Sequence, residues 1–211
     1  MINGAPGIVI YCGPMFSSKS DELIAEAHRA EYGQQKVLGV VPKSGSRNKE
    51  KGLIASRKIK KNSEETKRVK SYPAHFVSDS NLEVLDNLIK QKEPDVLVID
   101  EAHFFENSAE EFQEVILEAF WDKRIKIYLA GLDLTALGTN FKWCEKIMPQ
   151  ANEVHKLSAV CFVRGCNKEA THTQLISPTV DISEENPLQV GDRGTFESRC
   201  FDHWCHPKKM N

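Results

Sequence analysis

The stretch GPMFSSKS (residues 13–20) constrains the fold of this chain more than any other part of the sequence. An apolar run, GIVIY (7–11), precedes it, and a helical pattern, SKSDELIAEAHRAEYG (18–33), follows it. Glycine lets backbone N–H groups approach phosphates, and the start of a helix favours negative charge. The stretch matches G-x-x-x-x-G-K-[ST] except that Ser18 replaces the second glycine. It therefore predicts a phosphate-binding loop, with a chance glycine turn as the alternative.

Further apolar runs predict more strands along the chain: KVLGVVP (36–42), PDVLVID (94–100) and RIKIYLAGLD (124–133). Between the last two, Ser108 and Glu111 have the spacing of a capping box at the start of a helix, AEEFQEVILEAFWDK (109–123). Strands that alternate with helices are typical of an α/β fold with a mostly parallel sheet. Together with the loop, they predict a phosphate-loop nucleotide-binding core.

A carboxylate pair follows the strand of the stretch VLVIDEAHFF (residues 96–105). Asp100 and Glu101 stand at the C-terminal end of that strand, where ligands bind in parallel sheets. Asp100 is the natural partner for Mg²⁺ at a phosphate loop, with the Ser20 hydroxyl as a second ligand. Glu101 then faces the other way and is a candidate general base for an attacking hydroxyl.

The segment from residue 43 to residue 70 carries eleven Lys and Arg against three Glu and has almost no apolar periodicity. A nucleic-acid or phosphate patch is one interpretation. A solvated, flexible loop is favoured instead, because charge runs with few apolar residues usually stay unfolded. Few aromatic residues are available there to stack on single-stranded bases, so a nucleic-acid partner is not expected.

The overall composition gives no reason to expect a membrane or a polyanion as partner. The chain is 40% hydrophobic with a formal net charge of −2, and no apolar run approaches the ~20 residues of a membrane helix. The first residues, MINGAPGIVIYCG, lack the basic and long apolar regions of a signal peptide. These features favour a cytoplasmic protein without a membrane anchor.

The character of the sequence changes near residue 153. Cysteines and histidines cluster beyond it, and in a cytosolic chain such a cluster indicates a metal site before a disulfide. We therefore predict two domains, a nucleotide-binding core at 1–152 and a small metal-binding lobe at 153–211.

Several of these stretches, in order, resemble the type II thymidine kinase family: GPMFSSKSDEL, VIDEAHFF, AGLDLTALGTNF, VHKLSAVC, THTQLI and GTFESRCFDH. The resemblance extends from about Gly7 to His203, with the part between 43 and 90 poorly matched. It implies transfer of the γ-phosphate of ATP to the 5′-hydroxyl of thymidine or a related deoxynucleoside, with Mg²⁺. It also implies a structural Zn²⁺ and a homotetramer.

The resemblance assigns roles to individual residues, with Glu101 as the catalytic base and Ser20 and Asp100 on Mg²⁺. Those implied for ATP are Gly13, Pro14, Met15, Phe16, Ser17, Ser18, Lys19, Ser20, Arg47, Asp100 and His103. Those implied for the nucleoside are Met15, Phe104, Leu132, Phe141, Thr173, Gln189, Val190, Gly191 and Phe196. The stretch that ends at Phe196 belongs, by this resemblance, to a lasso-like loop of the metal lobe that folds over the base.

The family's zinc site consists of C-x-x-C followed far downstream by C-x-x-[CH]. The matching residues here are Cys161, Cys166, Cys200 and His203, with two extra residues between the first two cysteines. Three thiolates and one imidazole make a closed, structural zinc site. Replacement of His203 by Cys205 or His206, or loss of the metal, remains the alternative. We expect metal loss to weaken nucleoside binding more than ATP binding.

Departures from the family pattern fall at functional positions. Gly45 stands where an aspartate is expected, His103 replaces a glutamine, Ala136 and Leu137 replace a phenylalanine and an arginine, and Phe196 replaces a tyrosine. Ser18 is strained if its φ is positive and unstrained if φ is negative. These changes predict an altered nucleoside preference. The alternative is a catalytically impaired nucleotide-binding relative with a regulatory or structural role.

Overall fold

The computed structural model describes residues 6–45, 52–59, 66–177, 180, 182–183, 187–188, 191 and 194–206. Four α-helices lie in these ranges: α1 (Lys19–Tyr32), α2 (Glu83–Lys92), α3 (Ala109–Trp121) and α4 (Lys142–Ile147). Short 3₁₀ helices cover Ala102–Ser108, Met148–Gln150 and Phe201–His203. None of the helices in the described part of the chain is long and apolar enough to cross a membrane.

Six parallel strands form the central sheet. In chain order they are β1 (Ile8–Cys12), β2 (Val37–Pro42), β5 (His75–Val77), β6 (Val96–Ile99), β7 (Lys126–Gly131) and β8 (Glu153–Lys156). Their spatial order is β5-β2-β6-β7-β1-β8, and every pairing between neighbours is parallel. The predicted α/β fold with a mostly parallel sheet is therefore confirmed.

The register of three central strands brings the predicted functional segments to one edge. Cys12 at the end of β1 pairs with Gly131 at the end of β7, and Ile99 at the end of β6 pairs with Leu129. Consequently the phosphate loop, the Asp100–Glu101 pair and the chain after β7 emerge side by side. This is the edge at which parallel sheets bind their ligands.

Both faces of the sheet are covered, as its apolar strands require. Alternate residues of each strand point to opposite faces. On one face, residues such as Ile8, Ile10, Leu97 and Ile99 pack with α2, α3 and α4. On the other, residues such as Val9, Tyr11, Val96 and Val98 pack with α1. The strands that carry the site are thus packed on both faces of the sheet.

The predicted loop between residues 43 and 70 is in part a pair of strands, which corrects that prediction. β3 (Leu53–Ile59) and β4 (Thr66–Pro73) are antiparallel partners. Ile54 and Tyr72 are 1% and 3% exposed and pack against the α1 side of the core, which gives the pair its anchor. Residues 46–51 and 60–65 of the segment lie outside the described ranges.

The predicted capping box at the start of α3 is not formed. The Ser108 hydroxyl makes no capping bond to α3 and instead donates to the carbonyl oxygen of Asp79, 2.6 Å away. Ser108 is buried and closes the 3₁₀ helix that leads into α3. Its hydroxyl therefore satisfies a tertiary partner instead of the helix end.

The chain beyond β8 forms two small antiparallel pairs. β9 (Ala159–Val160) pairs with β10 (Glu169–Ala170), and β11 (His172–Leu175) pairs with β12 (Phe196–Arg199). β8 itself belongs to the central sheet, so these small pairs begin after Lys156. The division of the chain into two domains stays a prediction, and residues 189, 190, 192 and 193 of the predicted lasso-like loop lie outside the described residues.

We expect Phe112→Ala to be among the most destabilising single changes in the core. Phe112 is fully buried and stacks on the fully buried Phe105, with ring centroids 4.4 Å apart. Its truncation should lower the free energy of unfolding by about 3–5 kcal/mol, measured by urea denaturation. Tyr32→Ala is the control, because that ring is 92% exposed and its loss should cost less than about 0.5 kcal/mol. Equal losses in the two variants would contradict this packing.

Candidate functional site

A cleft of about 160 Å³ lies at the edge where β1, β6 and β7 end. Most of the predicted site residues line it: Met15, Phe16, Ser17, Ser18, Lys19, Ser20, Asp100, Glu101, His103, Phe104, Leu132, Phe141, Thr173 and Phe196. The structure thus brings together residues that are up to 181 positions apart, from Met15 to Phe196. The predicted phosphate, metal and nucleoside positions share a single cleft.

Of the described residues predicted for ATP or the nucleoside, three do not line this cleft. Gly13 and Pro14 belong to the phosphate loop, but both residues are buried. Gly191 lies against Phe196, close enough that an added Cβ would come within 2.7 Å of its ring. Arg47, Gln189 and Val190 lie outside the described residues.

The backbone of the phosphate loop is unusual at three positions. Gly13 has φ +135°, and an added Cβ would lie 2.2 Å from the carbonyl oxygen of Leu157, so only glycine fits. Phe16 and Ser18 have φ values of +66° and +64°, in the left-handed region that favours glycine. The φ of Ser18 is therefore positive, which is the strained case, and its backbone conformation costs about 1–2 kcal/mol.

Lys19 begins α1 and is turned back onto the loop. Its ammonium donates hydrogen bonds to the carbonyl oxygens of Gly13 (3.0 Å) and Pro14 (2.6 Å) and to the Ser17 hydroxyl (3.2 Å). Desolvation lowers the pKa of Lys19, an effect that the carboxylates of Glu101 and Asp100 only partly offset. A lysine held inside the loop in this way is placed to meet negative charge that enters the loop.

Ser20 and Asp100 are joined across the cleft. The Ser20 hydroxyl donates to Oδ2 of Asp100 at 2.8 Å, while Oδ1 of Asp100 accepts from the backbone N–H of Glu101 at 2.9 Å. Burial, followed by the charge of Glu101, raises the pKa of Asp100 to about 7. A divalent cation would favour the charged carboxylate at this position.

The two oxygens also have a suitable separation for a magnesium ion. Mg²⁺ binds oxygen ligands at 2.0–2.1 Å in octahedral geometry, so two adjacent ligands lie about 2.9 Å apart. Ser20 Oγ and Asp100 Oδ2 are 2.8 Å apart. The donor types and their spacing therefore fit Mg²⁺.

Glu101 is held apart from Asp100 by its backbone. Its φ of +55° and ψ of +37° are left-handed, and its side chain is 28% exposed. Oε2 lies 3.7 Å from Nδ1 of His103, which also accepts the N–H of Leu132 at 3.3 Å. The neighbouring carboxylates thus meet different partners, as roles in metal binding and proton transfer require.

Gly45, a departure from the family pattern, packs tightly against the segment that carries Glu101. A Cβ at position 45 would lie 2.8 Å from the ring of Phe104 and 3.0 Å from the Cβ of Glu101. A larger residue would have to displace one of them. In this chain the glycine therefore permits the close packing of Phe104 beside Glu101.

The far end of the cleft is apolar. Met15, Ala136, Leu137, Leu175, Ile182 and Phe196 form a buried cluster there. Thr173 connects this cluster to the phosphate loop, because its Oγ1 accepts the N–H of Met15 at 3.1 Å. A planar, largely apolar group would be desolvated at this end, while the charged groups lie at the other.

Other lining residues were missed by sequence reasoning. They are Asp21, Val41, Leu53, Ala55, Ser56, Ile182, Pro187 and Leu188, while Gly45 and Ala136 were noted only as departures. Leu53, Ala55 and Ser56 belong to β3, which the charge of its surroundings led us to treat as a loop. The alternating exposure of LIAS (53–56), in which only Ile54 and Ser56 are buried, is the short signal that could have identified this strand.

A second cluster consists of Cys161, Cys166, Cys200 and His203, whose ligand atoms all lie within 4.8 Å of one another. The Cys166 and Cys200 sulfurs are 4.0 Å apart, and Nδ1 of His203 is 3.2 Å from the Cys200 sulfur and 3.6 Å from the Cys161 sulfur. In a tetrahedral site with bonds of 2.0–2.3 Å, ligand atoms lie about 3.5–3.8 Å apart. This Cys₃His cluster is compatible with a structural zinc site.

The chemistry of the cluster agrees with its geometry. Burial raises the pKa of the Cys161 thiol, but hydrogen bonds to it, including those from the backbone N–H groups of Cys200 and Val163, lower it to about 6. A thiolate is the form that binds metal. Cys205 is exposed, and neither it nor His206 is part of the cluster that the described residues form.

We expect Ser18→Gly to stabilise the chain. Glycine removes the Cβ that is unfavourable at φ +64°, but it also gives the unfolded chain more freedom, so the net gain should be about 0.5–1 kcal/mol. Thermal unfolding should show a rise of about 1–4 °C. Ser18→Ala retains the Cβ and is the control. An equal rise in Ser18→Ala would show that the backbone is not the source of the strain.

We also expect Cys200→Ser to abolish stoichiometric zinc binding, because one of four ligands is lost. The melting temperature should fall by about 5–15 °C, as loss of a structural metal is strongly destabilising. Zinc content by mass spectrometry and a thermal scan measure both effects. Cys205→Ser provides the matched control, with full zinc content expected. Zinc retained in Cys200→Ser but lost in Cys205→Ser would reassign the ligand.

The chain was compared with models of known protein families. The family model described as thymidine kinase matches residues 7–204, nearly the whole chain. The matched region contains the phosphate loop, the Asp100–Glu101 pair and the Cys₃His cluster, so the sequence match and the geometry of the cleft agree. The chain belongs to the thymidine kinase family.

Proposed function

We propose that this protein is a nucleoside kinase that transfers the γ-phosphate of ATP to the 5′-hydroxyl of thymidine or a related deoxynucleoside. Family membership supports nucleoside kinase activity. The observation that carries the finer proposal is the 2.8 Å hydrogen bond between Ser20 and Asp100, with Glu101 beside it in the same cleft. It joins the phosphate loop to the carboxylate pair, which phosphoryl transfer needs together.

The loop from Gly13 to Ser20 would hold the triphosphate. Backbone N–H groups at the start of α1 and the Lys19 ammonium supply positive charge there. When bound, Mg²⁺ would neutralise phosphate charge, with Ser20 and Asp100 as its protein ligands. Arg47 and His103 are also proposed to contact ATP, and this part of the proposal rests on the resemblance alone.

Glu101 would accept the proton of the 5′-hydroxyl as it attacks. Its carboxylate is partly exposed in the cleft and is separate from the carboxylate that faces Ser20. A general base within hydrogen-bonding distance of the hydroxyl contributes about 10²–10⁴-fold to the rate. The division of labour is then metal binding for Asp100 and proton transfer for Glu101.

The apolar end of the cleft would hold the base. Met15, Phe104, Leu132, Phe141, Thr173 and Phe196 line this part of the proposed site, and Gln189, Val190 and Gly191 are added by the resemblance. Ala136 is only 5% exposed, so packing by neighbouring residues covers much of this side chain where the family has a phenylalanine. A preference that differs from that of typical family members is therefore part of the proposal.

The second candidate function is a catalytically impaired nucleotide-binding protein with a regulatory or structural role. The strained Ser18 backbone favours it, because the second glycine of the loop is absent where a positive φ is required. Stabilisation by ATP without phosphoryl transfer to any nucleoside would support this alternative.

Three further properties belong to the proposal. The Cys₃His cluster would hold a structural Zn²⁺. The resemblance adds a homotetrameric state and a cytoplasmic location.

We expect Glu101→Gln to lower kcat by about 10²–10⁴-fold while ATP still binds, because the substitution keeps the shape and removes the base. The measurement is transfer from labelled ATP, with Mg²⁺, to thymidine, deoxyuridine, deoxycytidine, deoxyadenosine and deoxyguanosine in turn. Glu114→Gln, an exposed glutamate on α3, is the control and should match the wild type. Absence of transfer by the wild type to every nucleoside, or equal rates in wild type and Glu101→Gln, would overturn the proposal.

A further inference from the structure

The phosphate loop touches the segment that carries the Cys₃His cluster at three places. Gly13 packs against the backbone of Leu157, and the Met15 N–H donates to Thr173. The third contact is between side chains: the rings of Phe16 and Phe162 lie with centroids 5.2 Å apart and planes tilted by 36°. Phe162 directly follows the first cysteine of the cluster.

Phe16 has an unusual backbone for so large a residue. Its φ of +66° is in the left-handed region, which is a genuine outlier for a bulky side chain. Such a conformation costs of order 1–3 kcal/mol and persists only where the surroundings impose it. The ring of Phe16 packs against both the cysteine cluster and the apolar end of the cleft. The unusual backbone of Phe16 thus coincides with a ring that is packed against two clusters.

The other ring is itself fixed by the cluster. Phe162 stands between Cys161 and the turn at Gly165, where the Cys166 N–H donates to the carbonyl oxygen of Val163 at 3.0 Å. The Phe162 N–H donates to the carbonyl oxygen of Ser198 at 3.0 Å, two residues before Cys200. The position of the Phe162 ring therefore depends on the segments that carry three of the four ligands.

We propose that Phe16 is a positioning residue, which sets the shape of the phosphate loop by packing its ring on Phe162 of the metal-binding segment. The inference rests on the proposed function, since it concerns nucleotide binding by that loop. It assigns the Cys₃His cluster a role on the ATP side of the cleft, whereas the sequence alone led us to expect an effect mainly on the nucleoside. Phe162, which makes the contact, lies between Cys161 and Cys166.

The test compares Phe16→Ala, Phe162→Ala and the double variant by calorimetric titration with MgADP. Each single change should weaken MgADP binding about three- to tenfold, the scale of a lost aromatic pair. The double variant should be no weaker than the poorer single variant, because both changes remove the same contact. Alanine keeps a Cβ at position 16, so the backbone strain stays and only the ring is lost. In turnover by Phe162→Ala, KM for ATP should rise while KM for the nucleoside changes less than about twofold.

Two controls separate positioning from general damage. Phe162→Tyr keeps the ring and should restore MgADP binding to within about twofold of the wild type. Phe201→Ala removes an aromatic ring that lies in the chain between Cys200 and His203. That ring is 79% exposed, and its ring contact in the described part of the chain is with His172, not with Phe16. It should leave MgADP binding unchanged. Zinc content should remain stoichiometric in all of these variants.

Several results would overturn the inference. Unchanged MgADP binding in Phe162→Ala, or additive losses in the double variant, would show that the contact between the two rings does not set the shape of the phosphate loop. An equal loss in Phe201→Ala would show that the metal-binding segment acts only through its overall stability. If the wild type binds MgADP but transfers no phosphate, the proposed activity fails while this contact can still be judged. If the wild type does not bind MgADP, both fail.

Discussion

Parallel pairing of β6, β7 and β1 is the constraint on which the rest of the site depends. It aligns the ends of the three strands, so that Asp100 follows one strand, Leu132 another and the phosphate loop the third. In this register the Ser20 hydroxyl donates to Asp100 at 2.8 Å. A shift of one residue would turn each side chain to the opposite face of the sheet. The buried residues on both faces prevent such a shift, so the packing of the core fixes the relative positions of the site residues.

Three of the six non-glycine residues with positive φ in the described part of the chain lie at the cleft. Phe16, Ser18 and Glu101 all have positive φ and all line the cleft. Each would cost of order 1–3 kcal/mol in isolation, and packing nearby offsets that cost. Phe162 lies against Phe16, and Gly45 leaves room for Phe104 beside Glu101. Gly45, a departure from the family pattern, therefore bears directly on the segment that carries Glu101, which a larger residue at position 45 would disturb.

The parts of the molecule set by local patterns were predictable from the sequence. The apolar runs identified the central strands, and the phosphate-loop stretch at 13–20 and the Asp100–Glu101 pair predicted the two halves of the site. The β3–β4 pair was missed because eleven basic residues obscured a short alternation. Ser108 has the spacing of a cap, but a tertiary carbonyl from Asp79 competes for its hydroxyl. The Phe16–Phe162 contact depends on residues 146 positions apart, and no local pattern encodes such a contact.

The central claim is that one cleft binds the nucleotide at the loop and presents an acceptor hydroxyl to Glu101. A crystal structure of the wild-type chain with Mg²⁺, ADP and thymidine tests it most directly. The claim predicts that the β-phosphate lies in the loop from Gly13 to Ser20, that Mg²⁺ contacts Ser20 and Asp100, and that the 5′-hydroxyl lies within about 3.2 Å of Glu101. Nucleotide bound elsewhere, or a nucleoside whose 5′-hydroxyl faces away from Glu101, would contradict it.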